Sequence, residues 1–157
     1  MKMEEPRTEH HWLERLVGDW AESPAAVEAA PEASVWAETV RSMGGFWVVL
    51  EGKGQMPGGA PGETLMTIGF DSAKGKYVGT WQGSMMNRLW VYEGFLDPTG
   101  NVLTLECDGP DFDVEGKTAR YRDVITFVDE NHRTFTGLVE TEDGSWNKFM
   151  ETHFWRR

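Results

Sequence analysis

Trp81-Gln82-Gly83-Ser84-Met85-Met86-Asn87-Arg88-Leu89-Trp90-Val91-Tyr92-Glu93-Gly94 is the densest run of aromatic, methionine and charged side chains in the chain, and its reading decides the fold. It reads as two β-strands and the short turn between them. In the strand leading into it, Lys76, Val78, Thr80 and Gln82 form one face, and Tyr77, Gly79, Trp81 and Gly83 the other, the alternation of a half-buried strand. The aromatic and glycine face is assigned to a lumen, because glycine leaves room for large neighbours. From Arg88 to Leu96 the same test puts Arg88, Trp90 and Tyr92 on one face and Leu89, Val91, Glu93 and Phe95 on the other. Both faces then need cover, supplied either by a second subunit or by the N-terminal segment; a homodimer is the preferred account. Glu93, opposite Trp90 and Tyr92, reads more readily as a partner of an arginine than as a lumenal acid.

Working outward, period-two alternation places strands near 35–43, 45–55, 63–71, 76–83, 88–97, 101–108, 118–129, 132–141 and 144–155, with a further one at Trp20. Asp71-Ser72-Ala73-Lys74-Gly75, Asp97-Pro98-Thr99-Gly100, Asp129-Glu130-Asn131 and Glu142-Asp143-Gly144 supply the turn chemistry that joins antiparallel neighbours. About ten strands in a meander close most naturally into an all-β, up-and-down antiparallel barrel, since closure removes the exposed edges. Ahead of it, Trp12, Leu13, Leu16 and Val17 make an apolar helical stripe, so a short N-terminal helix is expected over 8–17. Thr8 is its expected N-cap and His11 stands at the capping-box position. Residues 23–34, rich in Ala, Pro and Glu, form a connection with a helical turn between two prolines, a surface loop or a flap over a barrel mouth. The 157 residues fit a single domain, with the barrel over 18–155.

Lys and Arg total 15 against 26 Asp and Glu, a net charge of −11, which repels phosphate backbones and anionic lipid and argues against nucleic acid or membrane partners. No stretch has the apolar length of a signal peptide or a membrane span, so a cytoplasmic location is expected. Cys107 is the one cysteine; it can form no internal disulfide and reads as a small core residue.

Trp81, Trp90, Tyr92, Met85 and Met86 suit the wall of a cavity for a flat or flexible apolar ligand; the same residues would equally fill a small barrel with their own bulk. Arg41, Glu51, Glu93, Arg122, Asp123 and Glu151 all fall inside strands, where an unpaired buried charge is expensive. Some must pair or face water. Arg41 or Arg122 is a candidate anchor for a ligand carboxylate or carbonyl, and Glu93, Glu151 and His153 are the candidate acid/base groups; a structural Arg–carboxylate network across strands is the alternative. His153 on the last strand is also a candidate haem ligand. His10, His11 and His132 are expected to be exposed, without zinc-ligand spacing. Asp108, Asp111, Asp113 and Glu115 miss the spacing of a helix-loop-helix calcium site and read as a solvated loop. Ser84 reads as a turn residue.

Arg41-Ser42-x-Gly44-Gly45-Phe46, Glu51-Gly52, Ile68-Gly69-Phe70-Asp71, Gly79-Thr80-Trp81, Ser84-Met85, Tyr92-Glu93-Gly94, Arg122 and Met150-Glu151 occur here in order. With these, nearly the whole chain resembles a mainly bacterial family, domain of unknown function fifteen-seventy-nine. The resemblance implies a calycin-like, that is lipocalin-like, barrel, as does Gly18-Asp19-Trp20 directly after the helical stripe; it transfers no activity. Relatives commonly carry Asp at the position of Gly83. Three functions stay open: binding of a small, largely apolar molecule bearing a polar group, with no cofactor; an isomerase- or cyclase-type barrel enzyme; and haem binding through His153.

Overall fold

The computed structural model describes residues 1–22 and 36–157. Among them, ten antiparallel strands close into a barrel: β1 Gly18–Ala21, β2 Ala37–Met43, β3 Trp47–Gln55, β4 Pro61–Asp71, β5 Lys76–Gly83, β6 Trp90–Leu96, β7 Val102–Pro110, β8 Thr118–Asp129, β9 His132–Glu140 and β10 Trp146–Arg156. Every strand pairs with its neighbour in sequence, and β1 closes on β10. Strand β6 starts at Trp90 rather than Arg88; Arg88 lies in the connection before it, its guanidinium donating to the Asp108 carbonyl at 3.1 Å. The expectation of a helical turn or flap over 23–34 falls on residues outside those described.

The N-terminal helix is shorter than its apolar stripe suggests. It comprises α1, Thr8–Leu13, followed by a 3-10 turn over Glu14–Leu16. The N-cap is Arg7, one residue before Thr8; the Arg7 backbone N–H donates to His10 Nδ1 at 2.9 Å. His10 is therefore buried, not exposed as the sequence implied. With Nδ1 accepting, its Nε2 carries the proton and donates to the Phe70 carbonyl at 2.9 Å.

A six-residue helix has no stability of its own; packing into one end of the barrel holds it. Leu13, Leu16 and Trp20 are wholly buried there, each apolar side chain contributing about 1.5–3 kcal/mol by leaving water. Trp12 meets Tyr77 and Phe127 edge-on at 6.0 and 5.6 Å, and its indole N–H donates to the Gly100 carbonyl at 2.6 Å. The Tyr77 hydroxyl donates to the Glu9 carbonyl at 2.8 Å, and the Trp20 indole to that of Leu16 at 2.8 Å. Plug and wall are thus joined by apolar contact and satisfied polar groups together.

Register decides which residues share the lumen. Trp81 lies opposite Met66 and Trp90, and Gly79 opposite Ile68 and Tyr92. The row Gly94, Leu105, Asp123, Gly137, Met150 continues around the wall. The outward row of β6 leaves Val91 and Phe95 exposed, with Leu89 exposed just before it. The N-terminal segment lies elsewhere, with Pro6 against Gly45. Among the described residues no helix is long and apolar enough to cross a membrane.

Candidate functional site

Among the described residues, the lumen is hollow at the end opposite the plug. Two lobes of about 260 and 170 Å³ share Trp81, Phe135 and Met150 as a common wall. The larger is completed by Met66, Met85, Phe154, Thr152 and Glu38 among others, the smaller by Trp90, Cys107, Phe112, Tyr121, Phe149 and Asp123 among others. Glycines set the shape. A Cβ at Gly109 would lie 2.1 Å from the Trp90 ring, and one at Gly137 2.7 Å from Met150 and Phe149, so these rings occupy the volume where side chains would stand. Hollows of about 660 and 900 Å³ also lie on the outside, lined by charged residues such as Glu51, Lys53 and Glu63, or Lys2, Glu4 and Arg7. Their walls are more polar than those of the two lobes, and apolar lining gives a small ligand most of its binding energy.

The charged side chains that line the two lobes, Glu38 and Asp123, are both acidic. The Tyr92 hydroxyl donates a short hydrogen bond to Asp123 Oδ2, and among the described residues it is the one side chain doing so. Among the described residues no Lys or Arg lines either lobe. Burial therefore pushes the Asp123 carboxyl up to about 6, against the opposing pull of the Tyr92 hydrogen bond. Burial first and the Asp123 charge second hold the Tyr92 hydroxyl well above its ordinary value. The same two causes push the Cys107 thiol up to about 12, which leaves it an inert core group. In the larger lobe Glu38 is ion-paired with Arg133. Arg133 is 1 % exposed and lies between the rings of Trp20 and Phe154, at 4.6 and 4.7 Å.

Of the residues expected to form the site, Trp81 and Met85 line the larger lobe, Trp81 and Trp90 the smaller, and Tyr92 is buried behind it, reaching Asp123. The expected cationic anchors are elsewhere. Arg41 is exposed on the outer wall opposite Val49. Arg122 also points outward; its Nε donates to Glu106 at 3.1 Å and its guanidinium covers the Trp146 ring at 4.0 Å. Glu93 stands outside between Lys74 and Lys76, at 3.0 and 3.2 Å; hydrogen bonds from these lysines hold its carboxyl below the usual range. Glu151 is exposed on the outer wall beside Lys148 at 3.2 Å. His153 faces outward too, its Nδ1 2.8 Å from His132 Nε2, with both rings stacked on Trp155. The outward strand faces thus hold the Arg–carboxylate pairs that the sequence offered as the alternative to a lumenal anchor. Ser84 is a turn residue, its hydroxyl accepting from the Glu63 N–H at 2.9 Å.

From the sequence, Asp123 stands only among the charged strand residues and Met150 only in the family pattern, and neither Glu38 nor Phe135 is singled out. A usable signal existed in β8, where Tyr121, Asp123, Ile125 and Phe127 alternate as one otherwise apolar row. An acid in such a row faces the core.

Fold and site define an up-and-down β-barrel with one end plugged by its own N-terminal helix and an aromatic, acid-bearing cavity under the other. The family model described as protein of unknown function, DUF1579, matches residues 5–156, and the chain belongs to that family. Among curated proteins none matches the chain.

Proposed function

We propose that the barrel binds a small, largely apolar molecule bearing one polar group, in the cavity walled by Trp81, Met85 and Trp90. One observation carries the reading. Two lobes of about 260 and 170 Å³ stay open between aromatic and methionine side chains with few polar groups, and that open volume supports a ligand site over a core filled by its own side chains. Trp81 and Trp90 make intrinsic fluorescence the direct test. A panel of hydrophobic acids, amines, flavonoids and tetrapyrroles should contain compounds that change the emission saturably, and Trp81→Phe should remove most of that change. A panel that leaves the emission unmoved throughout rejects the reading.

Acid–base catalysis is the second reading, and Asp123 favours it. A carboxyl with a pKa of about 6, beside a Tyr hydroxyl in an apolar cavity, suits proton transfer at neutral pH. Proton exchange next to the carbonyl of small apolar ketones, followed by NMR and lost in Asp123→Asn, is its test. Glu93, Glu151 and His153 stand outside the cavity and do not serve this reading. His153 on the outer wall likewise does not serve haem binding inside the barrel.

A further inference from the structure

We propose that the smaller lobe recognises an organic ammonium ion, an amine carried on a small apolar body, with Asp123 as counter-ion and the rings of Trp81, Trp90 and Tyr121 as walls. This rests on the cavity being a ligand site and specifies what that site accepts. It also reverses the polarity suggested by the sequence, in which an arginine would have held a ligand carboxylate.

Charge is the first support. Asp123 faces a lobe whose other lining residues are aromatic rings, methionines and a thiol. A carboxylate taken out of water without a cation is costly. A ligand ammonium supplies the missing charge, whereas a ligand carboxylate would meet like-charge repulsion. Glu38, the acid of the neighbouring lobe, is already neutralised by Arg133, so the unmet demand is at Asp123.

Ring geometry is the second. Trp90 and Tyr121 stand edge to face at 5.2 Å, and Phe112 and Phe149 each lie 6.0 Å from Tyr121 at steep angles. Rings set across one another enclose a small volume from several sides, the arrangement by which aromatic cages hold ammonium groups. The lobe measures about 170 Å³, and a cavity of about 150 Å³ is enough for a benzene ring. The smaller lobe thus has room for one ring, with an ammonium head at Asp123.

The approach is the third. The turns at this end carry Asp111, Asp113 and Glu115 between β7 and β8, and Glu142 and Asp143 between β9 and β10, on a chain of net charge −11. Lys117, between them, lies 3.8 Å from Glu142, and Arg88 is tied to the Asp108 carbonyl. Such a rim raises the local concentration of cations and lowers that of anions.

The test is isothermal titration of the full chain at pH 7.5 with three compounds of one shape: 2-phenylethylammonium, 2-phenylethanol and phenylacetate. The ammonium should bind at least tenfold more tightly than the alcohol, with phenylacetate the weakest. In Asp123→Asn the ammonium-to-alcohol ratio should collapse towards one. Should that variant not fold, the pH profile of the unmodified protein decides. Protonating Asp123 removes the counter-ion, so ammonium affinity should fall by about tenfold per pH unit below about 6, while alcohol affinity stays level. Among the described residues the other titratable groups around Asp123 are Tyr92, Cys107 and Tyr121, all held above their ordinary values by burial first, and they keep their protons across that range. Equal or tighter binding of the alcohol or phenylacetate, or a level ammonium profile, overturns the proposal and leaves the cavity reading intact. Binding by none of the three overturns the proposal as well, and a silent fluorescence panel then removes the cavity reading with it.

Discussion

Arg122 and Asp123 are adjacent in sequence and opposite in circumstance. One lies on the outer wall with Glu106 and Trp146, and the other faces the cavity with Tyr92 alone. Burial makes Asp123 a liability when ionised, and the sign follows from linkage. Its folded-state pKa, about 6, exceeds the ordinary aspartate value, so the folded protein keeps a proton that the unfolded chain releases between about pH 4 and 6. Stability from this group is therefore full at low pH and is lost as pH rises through that window. Asp123→Asn keeps an acceptor for the Tyr92 hydroxyl and removes the charge. At pH 7 it should be more stable by about 2–3 kcal/mol, a gain that shrinks towards zero near pH 4; urea unfolding at the two pH values measures it. Little of this could be read from the sequence. Alternation puts Asp123 in the apolar row of Tyr121, Ile125 and Phe127 and Arg122 on the other face, but the neighbours each then meets, the Tyr92 hydroxyl for one and the Glu106 carboxylate and Trp146 ring for the other, come from other strands and leave no local pattern. The aromatic candidates fared differently, since Trp81 shares its face with Tyr77, Gly79 and Gly83, and Trp90 shares its face with Tyr92, so alternation alone groups them.

At the scale of elements, turn chemistry and alternation foretold the strands closely, because each turn carries its own local signal. Asp71 shows why: its Oδ1 accepts from the Ala73 and Lys74 N–H groups at 3.0 and 3.1 Å, a contact made entirely within the quoted turn. The 84–89 connection has no such signature and was read as shorter than it is. Helix α1 was legible as an apolar stripe, but its cap was not, since a His taking the role of a capping acceptor depends on the Phe70 carbonyl holding the other ring nitrogen. The glycines are the elements' least visible feature. Gly109 in β7 has no positive φ and looks replaceable until Trp90 of β6 is laid over it. Gly109→Ala should force the Trp90 ring to move, costing about 1–3 kcal/mol. It should also narrow the smaller lobe, so ligands that bind there should weaken more than those confined to the larger one. Thermal melts and the fluorescence panel report the two effects separately.

At the scale of the whole molecule, the barrel was legible from the edge problem alone, since a long meander with nothing to cover its last strands must close on itself. The seam itself was not. It depends on the four-residue β1, which meets β10 at Trp20–Arg156 and Ala21–Trp155. Arg156 reinforces it: its guanidinium donates to the Val17 and Arg15 carbonyls at 2.7 and 2.9 Å and lies over the Trp20 ring at 4.2 Å. Arg156→Ala should lower global stability by about 1–3 kcal/mol. Amide hydrogen exchange should quicken first at Trp20 and Ala21, while β8 and β9 stay protected; uniform quickening would place the weak point elsewhere. The seam and the plug also bring both described chain ends to one pole. The Arg157 N–H donates to the Asp19 carbonyl at 2.8 Å, and Lys2 to Glu5 lie beside Phe46 and Ser72. A linker attached at residue 1 or residue 157 would hold the barrel upright on a solid support, its opening turned to the liquid. A coated sensor chip would then present every cavity in the same orientation, whichever end carried the attachment.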